Sequence, residues 1–249
     1  MLRDTAVVAR HTVVLLARDP GTLVAYAVMS AVLMVVVHPI YERLAVPGTS
    51  GVLNAASGTA VMFTLLALDV AGEQLLAERD WHTWARLRAC AAGPAAILAG
   101  KALPLLALFA VFQGLLFAEA AWWFGLDLAA GGWRLPVLWL AWSSCVTAVG
   151  LALGAWLRSR GRLGVVADIG AMIMMGLSGA LVPLDGLPGW FADLAPATPG
   201  YWAVRGFQSA VSVPASGAYA HAVAVLTAVT VVAGTAAVVR VLLPGRSRA

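Results

Sequence analysis

The segment from residue 75 to 106, LLAERDWHTWARLRACAAGPAAILAGKALPLL, contains the glycines and the lysine that a phosphate-binding loop would need. Such a loop has the pattern G-x-x-x-x-G-K-[ST], in which backbone amides surround the phosphates and the hydroxyl binds magnesium. Here six residues separate Gly93 from Gly100, where the pattern has four, and Ala102 follows Lys101. No strand pattern precedes the segment, and a long apolar run follows it. We therefore predict no nucleotide-binding loop of this type in the chain.

A second pattern that could carry out catalysis is GLSG, residues 176–179, together with His221 on a later apolar segment. In an intramembrane serine protease of the rhomboid type, a Gly-x-Ser-Gly serine on one helix meets a histidine on a later helix. The chain also has a Trp133–Arg134 pair, but rhomboid proteases carry theirs in the first loop. A serine next to small glycines more often belongs to a surface where helices pack closely. A Ser178/His221 protease therefore stays as an alternative.

The composition is that of an integral membrane protein. Hydrophobic residues make up 61% of the chain and charged residues 11%, against about 45–50% and 25% in soluble domains; the mean hydropathy is +0.88. Cys90 and Cys145 fall in a polar connector and within an apolar run, so neither a disulfide nor a metal site is expected. Arg10 and His11 interrupt the first apolar run, which argues against a cleavable signal peptide. We expect no cofactor, no metal and no nucleic-acid partner for this chain.

Six apolar segments are long enough to cross a bilayer as helices, for which about 20 residues are required. They lack the strict alternation of a membrane β-barrel. The sequence therefore predicts an all-α polytopic membrane protein with a single transmembrane domain over residues 1–249. The predicted spans are about 21–39, 51–72, 96–118, 135–157, 164–183 and 218–242, and His38 with Pro39 is predicted to end the first of them.

The basic residues predict the orientation of these spans. Thirteen of the sixteen lie on one side of the predicted membrane, and only Arg43, Arg134 and Arg205 lie on the other. Because cytoplasmic loops carry the excess of Lys and Arg, both termini are predicted to be cytoplasmic. An even number of spans requires the same arrangement. Lys101 then lies near the cytoplasmic interface, and we expect its ammonium to reach back to that interface.

Two further segments are predicted to lie at the membrane surface. Residues 1–19 form an amphipathic helix with one apolar stripe, which we place in the cytoplasmic headgroup layer; the stripe comprises Leu2, Ala6, Ala9, Val13 and Leu16. Residues 184–217 form an extracellular segment rich in Pro, Gly and aromatic residues. A solvated loop would not keep so many aromatic side chains, so we predict short helices that lie in the outer interface or re-enter it.

The polar connector between the second and third spans, residues 73–93, is predicted to be a short cytoplasmic helix of moderate amphipathicity. Its apolar arc includes Leu76, Trp81 and Trp84, and its polar arc includes Glu78 and Arg79. Periodicity alone leaves open whether this helix lies on lipid or presents its polar face to a soluble partner.

Two stretches resemble type-2 ABC transporter permeases. ERDWHTWARL (78–87) followed by GPAAILAGK (93–101) is similar to the family's connector, which has a Glu-Arg-rich stretch, Gly-Thr, an apolar residue and Leu, then a Gly-Lys that opens the third span. The matching residues are Glu78, Arg79, Thr83, Trp84, Leu87, Gly100 and Lys101, whereas His82 stands where the family usually has Gly. Residues 176–209 are similar to the family's segment after the fifth span, with a Ser-Gly, an apolar-Pro pair, a Pro-Gly-Trp and a Pro before an aromatic.

This resemblance implies a permease subunit, not an enzyme, in the bacterial plasma (inner) membrane. Two six-span subunits, identical or not, would form the pathway, and two separate ABC ATPase subunits would bind ATP and Mg²⁺ and dock from the cytoplasm. The implied docking surface is the 73–93 segment together with the N-terminal helix, and the expected contacts are Glu78, Arg79, Trp81, Thr83 and Trp84.

The small size of the chain is similar to that of the antibiotic and drug export branch, such as the daunorubicin-resistance type. The implied function is therefore ATP-driven export of a hydrophobic or amphipathic small molecule: a drug, an antibiotic or a lipid-like compound. A lipid or polysaccharide exporter is the alternative within the family, and a non-transporting membrane scaffold is an alternative outside it.

Candidate residues of a substrate pathway are Met172, Met175, Ser178 and Glu119. Methionines supply adaptable apolar surface that could line a path or simply pack between spans. Glu119, like Asp69, Asp127 and Asp168, is predicted to lie near a span end, where an ionisable group is tolerated. Glu119 could recognise a cationic substrate from the outer half of the membrane, and Asp168 could pair with a neighbouring arginine.

Overall fold

The computed structural model describes residues 2–18, 20–44, 50–80, 93–157, 159–181, 188–211 and 217–242. These residues form helices and short connections without any strand, so the predicted all-α fold is confirmed. The helices are α1 Leu2–Arg18, α2 Pro20–Leu44, α3 Gly51–Leu66, α4 Leu68–Asp80, α5 Pro94–Phe124, α6 Arg134–Trp156, α7 Arg160–Ser178, α8 Gly189–Leu194, α9 Pro199–Val211 and α10 Gly217–Leu242, with a 3₁₀ turn at Ala195–Ala197.

Five helical segments among the described residues are long and apolar enough to cross a membrane: Gly51–Glu78, Ala95–Phe124, Arg134–Trp156, Arg160–Ser178 and Gly217–Leu242. They coincide with the second to sixth predicted spans. The predicted first span lies in α2, whose 25 residues extend about 37 Å at 1.5 Å per residue. The helix does not end at Pro39 as predicted but continues to Leu44.

The second span is longer than predicted and contains a break. α3 ends at Ala67, whose amide donates to Phe63, and α4 begins at Leu68. Asp69 lies in the first turn of α4 and accepts a 2.7 Å hydrogen bond from the Val70 amide, which suits a carboxylate at a helix N-terminus. Asp69 is therefore inside the Gly51–Glu78 segment, not near its end as the sequence suggested.

α6 lies at the centre of the bundle, with α4, α5, α9 and α10 packed around it. Leu138, Trp142 and Cys145 of this helix are buried in the main apolar core. A second, smaller core joins the C-terminal ends of α4, α6 and α10 to the N-terminal end of α5. We call this the connector end of the bundle, because the segment between α4 and α5 leaves and re-enters there.

The opposite end is closed by α8, α9 and the last turn of α7. α9 is an inserted helix, since Phe207 and Ala210 are completely buried in the main core. Tyr41 of α2 donates a 2.7 Å hydrogen bond to the Ala180 carbonyl just after α7. Gln208 of α9 donates a 2.9 Å hydrogen bond to Asn54 of α3. The predicted segment 184–217 thus contains two short helices, of which α9 packs inside the protein.

α1 packs on α5, and it does so through a different face from the predicted apolar stripe. A Cβ added to Gly100 would lie 2.6 Å from the Val8 Cβ and 2.9 Å from the Thr5 carbonyl oxygen. Thr12, on the same face, is buried, whereas Ala6 and Val13 of the stripe are exposed. Small and β-branched residues therefore make this helix contact, whereas the stripe is divided, with Ala6 and Val13 exposed and Leu16 packed against the main core.

Candidate coupling site

A buried ion pair joins the last turns of α4 to the first turns of α5. Lys101 Nζ lies 2.9 Å from Glu78 Oε1 and donates a 2.8 Å hydrogen bond to the Gln74 carbonyl. The Glu78 side chain is 5% exposed and the Lys101 side chain 1%. A buried ion pair adds little stability compared with apolar residues of similar volume. Removing one of its two partners, however, strongly destabilises the fold, because the other charge stays buried without compensation.

The position of Lys101 differs from the sequence expectation. Its ammonium extends toward the connector end but is enclosed by protein, where it donates to the Gln74 carbonyl. Pairing with Glu78 also explains why α4 continues beyond the predicted span end at residue 72. Glu73, Gln74 and Glu78 lower the local hydropathy, yet the last of them is neutralised by a lysine from the neighbouring helix.

Glycine contacts connect this ion pair to the centre of the bundle. Gly150 and Gly154 form a G-x-x-x-G pattern on α6 that faces Gly72 of α4. A Cβ added to Gly150 would lie 2.6 Å from the Leu68 carbonyl oxygen, and one added to Gly154 would overlap the Gly72 carbonyl. Such patterns let two membrane helices approach through their backbones. α4 and α6 therefore pack backbone to backbone here, without intervening flexible side chains.

Three helices meet around Lys101. Its neighbour Gly100 is the point where α1 rests on α5, while the Lys101 side chain reaches α4. In sequence, residues 81–92 connect α4 to Gly93. α1, the last turns of α4 and the first turns of α5 thus form one packed unit.

The predicted ATPase contacts divide into two groups. Glu78 is buried, and its carboxylate faces the interior and pairs with Lys101; its contact with an ATPase stays a prediction. Arg79 lies in the last turn of α4. Trp81, Thr83 and Trp84 lie outside the described residues, and their role remains a prediction.

The predicted pathway residues do not share one surface. Met172 is 70% exposed on the outer face of α7, whereas Met175 is 8% exposed and points into the core. Ser178 is buried where Gly200 of α9 packs on α7. Glu119 lies on α5 and is partly buried, with its Oε2 enclosed without a hydrogen-bond partner. Asp168 is exposed on α7 and has no ion pair with an arginine of the described residues.

Ser178 and His221 do not form a catalytic pair. The Ser178 hydroxyl donates to the Met175 carbonyl at 3.0 Å and accepts from the Ala180 amide at 3.2 Å. His221 stacks on Trp202, with 5.4 Å between ring centroids. A nucleophilic serine needs a base within hydrogen-bond reach; here the hydroxyl closes the last turn of α7 instead, so the protease alternative is not supported.

We expect Ser178 to resist a fluorophosphonate probe and Ser178→Ala to retain the protein's activity, because the hydroxyl is enclosed and bonded to its own helix. The measurement is mass spectrometry of the probe-treated protein, with a known serine hydrolase labelled in parallel. Labelling at Ser178 that disappears in His221→Ala would contradict this arrangement.

A buried polar contact that the sequence reasoning missed joins α5 to α6. Gln113 is completely buried, and its Nε2 donates to Ser143 Oγ at 2.7 Å and to the Trp139 carbonyl at 3.4 Å. Interhelical hydrogen bonds of this type help hold spans together in lipid. A glutamine isolated within the apolar run FAVFQGLLF was the available signal.

The described residues form a bundle of apolar helices with five candidate spans, which defines a multi-pass membrane protein. A model of the ABC-2 type transporter family matches residues 4–211. The chain therefore belongs to the ABC-2 type transporter family, and it is a membrane component of such a transporter. A search of curated proteins gives no match. Membership of this family implies association with ABC ATPase subunits and dimerisation.

Proposed function

We propose that this chain is the permease subunit of an ATP-driven exporter that moves a hydrophobic or amphipathic small molecule out of a bacterial cell. ATP and Mg²⁺ would be bound by two separate ATPase subunits. The family match over residues 4–211 is the observation that carries this proposal. The small size and the lack of a large external domain resemble the daunorubicin-resistance branch, which supports a drug, antibiotic or lipid-like substrate.

The connector end is the proposed receiver of mechanical work. The distribution of basic residues supports a cytoplasmic location for it and for both termini. An ATPase that docks on residues 81–92 and on α1 would push on α4 and α5 together, because Glu78 and Lys101 hold these helices at a fixed spacing. The glycine contact of α4 with α6 would carry the displacement into the bundle. Coupling of this type requires a contiguous chain of rigid elements.

The exposed face of α7 is the surface that we propose for a second permease subunit. This face contains Val165, Ile169, Met172 and Ile173 together with Asp168, all exposed. A carboxylate within a membrane-crossing helix is costly when it faces lipid. Packing of a second copy along α7 would enclose Asp168 in protein or in a water-filled path between the two subunits.

Disulfide formation tests the proposed dimer face. In a chain with Cys90 and Cys145 replaced by Ala, we expect oxidation of Met172→Cys to give a covalent dimer, because α7 helices would lie side by side at the two-fold axis. Val231→Cys, which is exposed on α10, is the matched control and should stay monomeric. Dimers that form through position 231 and not through position 172 would contradict the assignment of α7.

Purification from the native membrane tests the function itself. We expect the tagged chain to bring down an ABC ATPase, and the complex to hydrolyse ATP when it is reconstituted in lipid nanodiscs. The double variant Glu78→Leu/Arg79→Ala should lower this ATP hydrolysis or the recovery of the ATPase. A chain that carries out its native function with no ATPase bound would overturn the proposal and would favour a scaffold.

A further inference from the structure

A cavity of about 320 Å³ lies between α5, α6 and α10 in the half of the bundle nearer the connector end. Its floor is α6, where Thr147 and Leu151 are buried. Its rims are α5 and α10, where Ala102, Gly234 and Val238 are only half-buried. The cavity is therefore a trough that opens outward between α5 and α10, and all three helices belong to the candidate membrane spans.

The surface of this trough is largely apolar, although three of the residues that line it carry hydroxyl groups. The Ser144 hydroxyl donates to the Leu140 carbonyl at 2.6 Å, and the Thr230 hydroxyl donates to the Leu226 carbonyl at 2.7 Å. The Thr147 hydroxyl oxygen is enclosed by protein and does not reach the trough surface. Methyl and methylene groups thus make up most of the trough surface, so water would find few hydrogen-bond partners in it.

The dimensions of the trough select the kind of occupant. On α5 the lining runs from Ala95 to Leu106, which is about 16 Å at 1.5 Å per residue. This length corresponds to one leaflet of a hydrocarbon core of about 30 Å. A whole α-helix about 10 Å across and of this length would occupy roughly 1,250 Å³, more than the trough holds even when the space open to the outside is included, about 760 Å³. The trough therefore suits a slender group such as a hydrocarbon chain and not the body of a second helix.

We infer that this trough binds one acyl chain of a membrane phospholipid, from the leaflet on the side of the connector end. Dense packing leaves few voids of this size in a folded protein, and in a bilayer the acyl chain is the apolar group available to fill it. The bound chain would pack against α5, α6 and α10 together at the level of the smaller core. This inference requires only that the helices span a membrane and does not depend on the proposed transport function.

Photo-crosslinking of the full protein tests this inference. The protein, with any bound subunits, is placed in nanodiscs that contain a phosphatidylcholine with a diazirine on its acyl chain, and labelled peptides are mapped after irradiation. We expect peptides covering residues 95–106 and 230–238 to be labelled above the level of the exposed surface of α5 around Val111 and Leu115, which is not part of the proposed dimer face. Gly234→Leu should reduce that labelling at least fivefold, because a Cβ at Gly234 meets no atom within 4 Å and the side chain would fill the trough.

Gly164→Leu on α7 is the matched control, since a Cβ there also meets no atom within 4 Å and α7 does not line the trough. It should leave the labelling unchanged. Ala102→Phe fills the trough from the opposite rim, so the test does not depend on one variant. Wild-type labelling of the trough no stronger than that of the exposed α5 surface around Val111 and Leu115 would overturn the inference. Unchanged labelling in both filling variants would also overturn it, whatever the outcome of the ATPase experiments.

Discussion

Replacement of Lys101 by Met is expected to destabilise the protein by about 3–5 kcal/mol, the cost of removing one partner of a buried ion pair. The Glu78 carboxylate would lose its ammonium partner in a place where its side chain is 5% exposed. Glu78→Leu should have a similar effect, because the Lys101 ammonium would keep only the Gln74 carbonyl. The measurement is the thermal midpoint of the detergent-solubilised protein by fluorescence size-exclusion chromatography.

The double variant Glu78→Leu/Lys101→Met separates the ion pair from general damage to the fold. With both charges removed, neither helix holds a buried charge without its partner, so we expect the double variant to be more stable than either single variant. If the two single effects simply add in the double variant, the two side chains do not act as a pair. Because the α4–α5 spacing would then depend on apolar contacts alone, we also expect ATP-dependent activity to stay low in the double variant.

The substitution Gly154→Ala is expected to have the second large effect. The added methyl group would overlap the Gly72 carbonyl of α4, and backbone atoms cannot move aside as a flexible side chain can. Overpacking of this kind costs about 1–3 kcal/mol. We expect a lower thermal midpoint and lower yield, and a loss of activity larger than the loss of yield, since α4 would be pushed away from α6.

The matched control for this prediction is Gly170→Ala on α7. A Cβ at Gly170 meets no atom within 4 Å, and alanine is the better helix former. We therefore expect Gly170→Ala to be neutral or slightly stabilising. Equal thermal midpoints for Gly154→Ala and Gly170→Ala would show that α4 and α6 do not approach through their backbones.

The positions of the spans could be predicted from the sequence because lipid imposes a simple requirement. A helix of about 20 apolar residues satisfies its own backbone hydrogen bonds and needs no partner in the bilayer. The segments around 135–157 and 218–242 meet this requirement on hydropathy alone, and the structure has helices at Arg134–Trp156 and Gly217–Leu242. A short helix in the region of α9 could also be predicted, since the aromatic residues there argue against a solvated loop.

The features that depend on tertiary contacts could not be predicted in the same way. Hydropathy predicted that the second span ends at residue 72, because the polar residues that follow lower the local hydropathy. The local sequence does not show that Lys101, 23 residues further along, neutralises Glu78. Periodicity identified the apolar stripe of α1 but not the face around Val8 that contacts α5, since a helix contact made by small residues is weakly apolar.

The candidate contacts with an ATPase stay predictions, but the structure adds the orientation of one of these side chains. The resemblance to type-2 permeases directed attention to residues 78–101, where the buried ion pair lies. It implied that Glu78 faces an ATPase, whereas the structure turns the carboxylate inward toward Lys101. Residue identity cannot tell these two orientations apart, because each places a charged group at the end of a span. The G-x-x-x-G pattern of α6, in contrast, is a packing signal that the sequence itself contains, although it was not among the predictions.

The most direct measurement of the proposed coupling is photo-crosslinking from the connector in intact cells. A photoreactive phenylalanine analogue at position 84 is predicted to capture an ABC ATPase subunit, identified by mass spectrometry. The same analogue at Trp133, which is exposed at the opposite end of the bundle, is predicted not to capture it. Capture of the ATPase from position 133 and not from position 84, in a chain that remains active, would contradict the coupling role of the connector end.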